Sequence, residues 1–151
     1  MPFLVSTLNV SETSEATASF NDMRVSNSTL QALAKMGIST PTPIQSGAIP
    51  AMLDGRDLIG QARTGSGKTL AFGIPAIESI DTRIRGVQVI VLTPTRELAM
   101  QVGTVLELLA APKGVKVGLV YGGKALGPQR DMLRRGVHAI VGTPGRVLDL
   151  L

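Results

Sequence analysis

The segment best suited to chemistry is Ala62-Arg63-Thr64-Gly65-Ser66-Gly67-Lys68-Thr69. Its two glycines lack a Cβ, so successive N–H groups can converge on an anion. Lys68 adds a mobile positive charge for the outer phosphates, and the Thr69 hydroxyl suits Mg²⁺. The spacing is that of a phosphate-gripping loop, with alanine at Ala62 where the usual pattern has glycine. Such a loop needs a strand before it and a helix after it, because the helix start aims unpaired N–H groups and a positive dipole end at the anion. Asp57-Leu58-Ile59-Gly60 reads as the strand, and helical spacing follows Gly67. A ligand-free Gly/Ser turn would account for neither flank. The residues therefore predict a nucleoside triphosphate site, without saying which chemistry it serves.

The rest of the chain must position that loop. Residues 1–19 hold seven Ser or Thr and no periodicity, and are expected to form a flexible tail. Residues 20–151 read as one folded region. Ser26 caps an expected helix with Leu30, Leu33 and Ala34 on one face, and Gly37 stops it. Thr42-Pro43 opens a second helix, with Ile44, Ala48 and Met52 on its apolar side. Residues 87–92, 116–120 and 139–142 read as further strands. They alternate with helices over 95–110, over 128–135 and from about Pro144. Apolar strands alternating with helices predict an α/β fold, a parallel sheet with helices on both faces. Pro75 inside the helix after Lys68 predicts a kink or a break.

Composition narrows the classes. With 151 residues and 44% hydrophobic content the chain can build one ordinary core. Cysteine is absent and His138 is the only histidine, which excludes disulfide frameworks, thiol-ligated metals and multi-histidine metal sites. The opening MPFLVSTLNV lacks the basic flank of a signal peptide, and no apolar run approaches the length of a membrane span. A cytoplasmic protein is expected. Net charge is +4, but residues 1–84 carry −1 and residues 85–151 carry +5. The basic later half suits a polyanionic partner.

Five segments in order carry a resemblance: Gly37-Ile38-Ser39-Thr40-Pro41-Thr42-Pro43-Ile44-Gln45, the loop at 62–69, Pro94-Thr95-Arg96-Glu97-Leu98-Ala99, Gly122-Gly123, and Thr143-Pro144-Gly145-Arg146. Over residues 20–151 the sequence resembles the N-terminal RecA-like domain of the DEAD-box ATP-dependent RNA helicases, a P-loop NTPase fold. The resemblance implies ATP and Mg²⁺ as cofactors and RNA as partner. It assigns adenine recognition to Gln45 and base packing to Phe20. Arg63, Thr64, Gly65, Ser66, Gly67, Lys68 and Thr69 would hold the phosphates, with Lys68 and Thr69 serving catalysis and Thr69 touching Mg²⁺. Arg63 stands where many members carry glutamine. Pro94, Thr95, Arg96, Gly122, Gly123, Thr143, Gly145 and Arg146 would hold the RNA backbone. Such contacts carry no base code, so binding should be independent of sequence and weakened by salt.

No Asp-Glu-Ala-Asp string occurs in the chain. The resemblance places that segment, a Ser-Ala-Thr segment and a second RecA-like domain, all needed in cis, beyond Leu151. The expectation is an N-terminal fragment, incomplete at its C-terminal end, of an enzyme that couples ATP hydrolysis to local RNA unwinding; these residues alone are expected to be inactive. Two other readings stay open: a non-enzymatic remnant or RNA-binding module with a vestigial ATP site, and a P-loop ATPase acting on DNA.

Overall fold

Local capping chemistry sets some helix starts where the sequence implies them. The computed structural model describes the backbone of residues 5–9 and all of residues 19–151. Two compact units divide the chain, Met1–Ser79 and Ile80–Leu151.

In the first unit, β1 (Val5–Asn9) pairs in parallel with β2 (Asp57–Gln61), Val5 opposite Asp57. This corrects the expected tail: Val and Thr tolerate extended backbone, and β2 offers an edge on which a strand can form. The remainder of residues 1–18 lies outside the described residues. Ser26 Oγ accepts the Thr29 N–H at 3.3 Å and starts α1 (Asn27–Lys35). Its buried face is Thr29, Ala32 and Leu33, not the expected trio, since Ala34 is exposed. Thr42 precedes α2 (Pro43–Leu53), with Pro43 at the first turn. Helix α3 (Lys68–Glu78) runs through Pro75 instead of breaking there. Pro75 sits in the last turn, where the missing N–H costs one bond, and its buried ring gains packing. Ile44, Ala48 and Ala71 form a core cluster with Leu58 and Ala62 against it, seating α2 and α3 beside β2.

The second unit holds β3 (Val89–Leu92), β4 (Val117–Val120) and β5 (Ala139–Gly142) as a parallel sheet in the order β3-β5-β4. Thus the described strands form two parallel sheets, one in each unit, where the sequence suggests one. Helix α4 (Arg96–Ala110) brings Gly103 so close to Leu119 that an added Cβ would lie 2.5 Å from the leucine side chain. On the next residue, Gly118, an added Cβ would lie 2.7 Å from Met132 of α5 (Leu126–Arg135). Neighbouring strand residues point to opposite faces, so α4 and α5 cover opposite sides of β4, as expected for this fold class. Helix α6 (Pro144–Leu150) follows β5 and lends Val147 to a core cluster with Val120, Val137 and Ile140. The β3 strand is less covered than its apolar run suggests: Ile90 and Leu92 are 51% and 56% exposed. No helix among the described residues is long and apolar enough to cross a membrane.

One polar staple closes the first unit. Glu78 Oε1, at the end of α3, accepts from Ser26 N at 2.9 Å, from Ser26 Oγ at 2.7 Å and from the Thr29 hydroxyl. Glu78→Ala leaves these donors without their shared acceptor and should cost about 2–3 kcal/mol in urea unfolding, whereas Glu78→Gln should cost about 1 kcal/mol.

Candidate functional site

The phosphate loop lies between β2 and α3, the context its spacing requires. Gly65 and Gly67 take left-handed backbone, φ +80° and +87°, which turns consecutive N–H groups to one side. Lys68 Nζ donates to the Ala62 carbonyl at 2.6 Å, so the ammonium folds back over the loop that would hold the anion. Ser66 Oγ is buried with no hydrogen-bond partner. A cavity of about 580 Å³ opens beside it, lined by Thr42, Pro43, Ile44, Gln61, Ala62, Arg63 and Ser66. That volume suits a nucleotide-sized ligand.

Gln45 is 2% exposed and joins the start of α2 to this loop. Its Oε1 accepts Thr42 N–H at 2.9 Å, and its Nε2 donates to the Gly67 carbonyl at 3.1 Å. Both amide atoms are thus engaged by protein, each keeping capacity for one further bond. Phe20 sits in a short 3-10 turn, 3% exposed, and does not line the cavity. Thr64 and Thr69 stand on the loop's outer part and at the first turn of α3, exposed and half-buried respectively.

In the second unit, the other predicted segments meet at the C-terminal ends of the strands, where ligands gather in open α/β sheets. Thr95 caps α4, its Oγ1 accepting Leu98 N–H at 3.2 Å. Exposed Arg96 makes a loose 3.4 Å pair with Glu97. The Glu97 carboxyl is held below its ordinary range, first by its own backbone N–H and then by Arg96. Exposed pairs of this kind release readily. Gly123 has φ +84°, and a Cβ there would lie 2.8 Å from Arg96 Nη1. Arg146 Nη1 donates to the Lys124 carbonyl at 2.9 Å, and its side chain is only 15% exposed. Arg96 and Arg146 therefore flank the turn that holds Gly122 and Gly123. Pro94 and Gly145 are exposed nearby in sequence, and Thr143 N–H donates to the Val120 carbonyl at 3.0 Å.

Two supports were not legible as site residues. Thr93, 5% exposed, donates its hydroxyl to the Thr95 carbonyl at 3.0 Å. No sequence signal marks it. Gln129, 8% exposed, donates Nε2 to the Tyr121 carbonyl at 3.0 Å. Its signal was a polar residue at helical spacing from Met132 and Leu133.

The profile described as DEAD/DEAH box helicase matches residues 42–151. The chain belongs to the DEAD/DEAH box helicase family. It is 48% identical over 130 residues to the DEAD-box ATP-dependent RNA helicase CshA of Bacillus cereus (strain ATCC 10987 / NRS 248), covering 86% of this chain and 25% of that protein. The same identity and coverage hold for CshA of Bacillus anthracis. Among solved structures, a DEAD box protein from the hyperthermophile Methanococcus jannaschii superposes with a TM-score of 0.81 at 45% identity, over 87% of this chain and 36% of that one. A hypothetical ATP-dependent RNA helicase from Sulfolobus tokodaii gives 0.75 at 39% identity, over 83% and 36%. This DEAD/DEAH box chain spans about a quarter of the length of its curated relatives.

The two loop glycines separate two costs. Gly65→Ala meets nothing within 4 Å and carries only the left-handed backbone penalty, about 1–2 kcal/mol. Gly67→Ala adds a collision with the Gln45 amide. Thermal unfolding should show Gly67→Ala as the more damaging, and nucleotide titration should show it losing binding outright.

Proposed function

We propose that this chain carries the ATP-binding and RNA-binding segments of an ATP-dependent RNA helicase that acts in the cytoplasm. The observation that carries the reading is the phosphate loop: left-handed Gly65 and Gly67 at the start of α3, with Lys68 resting on a carbonyl that an anion can replace. The buried, unpartnered Ser66 hydroxyl fits a missing polar ligand. On binding, Lys68 leaves Ala62 for the outer phosphates, while loop N–H groups hold the inner ones. Gln45 keeps one donor and one acceptor for an adenine edge. Thr69 would hold Mg²⁺, which supplies neutralisation of phosphate charge.

Thr95, Arg96, Gly122, Gly123, Thr143, Gly145 and Arg146 hold an RNA sugar-phosphate backbone, Arg96 by charge-assisted hydrogen bonds and the glycine turn by bare backbone. Hydrolysis and unwinding belong to the complete protein, with the acidic motif and second RecA-like domain supplied in cis. These 151 residues should show no RNA-stimulated ATP turnover; turnover matching a complete helicase would overturn that division of labour.

Lys68→Ala should weaken ATP affinity about 10- to 100-fold by calorimetry, since a hydrogen bond to a charged group contributes about 1.5–3 kcal/mol. Arg96→Gln should leave ATP binding unchanged and lower the slope of log affinity for single-stranded RNA against log salt by about 0.7. Stimulation by DNA but not by RNA would favour a DNA-directed ATPase instead.

A further inference from the structure

We propose that Gln129 is a positioning residue for RNA affinity: from α5 it fixes the turn 121–124, whose Gly123 lies against Arg96. The inference rests on the RNA-site reading above.

Gln129 is the one fully buried residue of α5; the apolar Met132 and Leu133 on the same helix are only partly buried against the core. Its Nε2 donates to the Tyr121 carbonyl at 3.0 Å, while its Oε1 is buried without a partner. A desolvated, unpaired acceptor costs about 1–3 kcal/mol. Leucine or methionine would fill a similar volume without that cost, so packing alone does not explain the amide.

What the amide secures is the first carbonyl beyond the sheet. Strand β4 ends at Val120, whose carbonyl is taken by Thr143 N–H at 3.0 Å. Past that point the ladder stops and Gln129 takes over. At the far end of the turn Arg146 holds the Lys124 carbonyl at 2.9 Å. Between these two grips Gly123 adopts φ +84° with Arg96 close above it. The turn is therefore clamped at both ends by side chains, and its middle is left free for a ligand. Clamping lowers the ordering cost of binding, which shows as affinity and not as fold stability.

The test uses the full chain and a fluorescein-labelled oligouridylate, with hydrogen exchange followed at residues 121–124. Gln129→Met should bind the RNA about 3- to 10-fold more weakly, the range expected for one hydrogen bond. Exchange in the turn should quicken, with Mg·ATP affinity and thermal midpoint unchanged. Gln129→Glu adds a readout that simple packing would not move. Its ionised carboxylate cannot donate to Tyr121, but its protonated form can, so RNA affinity relative to wild type should recover as pH falls through the carboxyl pKa. The proposal is overturned if Gln129→Met keeps wild-type RNA affinity. It is also overturned if the midpoint and Mg·ATP affinity fall together with RNA affinity, or if the Gln129→Glu deficit ignores pH. Failure of wild type to bind oligouridylate would instead sink the RNA-site reading, and turn exchange would then judge the clamp by itself.

Discussion

An anion cradle made of backbone has to exist before its anion arrives, and that requirement governs the first unit. Gly65 and Gly67 hold a conformation that other residues adopt only at a cost, and side chains bonded to the loop's carbonyls brace it. Gln45 bonds to the Gly67 carbonyl from α2, and Lys68 bonds to the Ala62 carbonyl from α3. The core cluster of Ile44, Ala48 and Ala71 then fixes the two helices that supply those side chains. Hydrophobic packing thus acts on function indirectly, by setting where two polar groups reach the loop. Both groups are ones that the family resemblance assigns to the nucleotide, so the groups that brace the loop are also those the proposed ATP site would use.

The second unit uses a comparable device with different parts. Three parallel strands end together, and the loops after β3 and β4 have carbonyls held by side chains: Thr95 by Thr93, and Tyr121 and Lys124 by Gln129 and Arg146. Arg146 is therefore partly consumed as a brace, whereas Arg96 is exposed and loosely paired. A backbone-directed interface needs this order, because N–H groups in loops are useful to a phosphate only when their direction is set. The +5 balance of residues 85–151 adds attraction without specifying a contact.

Much of this was legible in the sequence, for identifiable reasons. Ser26, Thr42-Pro43 and the Gly-Lys-Thr run announced their elements because capping and phosphate gripping depend on local residue types. The buried face of α1 was misjudged by about one position, since Thr29 is drawn inward by Glu78, 49 residues away in sequence, and no periodicity reveals that. Strand β1 was invisible because its pairing depends on an available edge on β2, a tertiary property. Pro75 was expected to disrupt α3, but its place near the helix end made the lost bond tolerable. Thr93 and Gln129 escaped notice because carbonyl bracing leaves no motif.

In the proposed ATP site, residues 62–69 form the nucleotide-phosphate cradle. The most direct measurement is a titration of the ¹⁵N-labelled chain with Mg·ATP, followed by amide chemical shifts. Saturable shifts at Gly65, Ser66, Gly67, Lys68 and Thr69, together with the Gln45 side-chain amide, and their loss in Lys68→Ala, are the predicted result. Unmoved amides across that loop at millimolar nucleotide would contradict it.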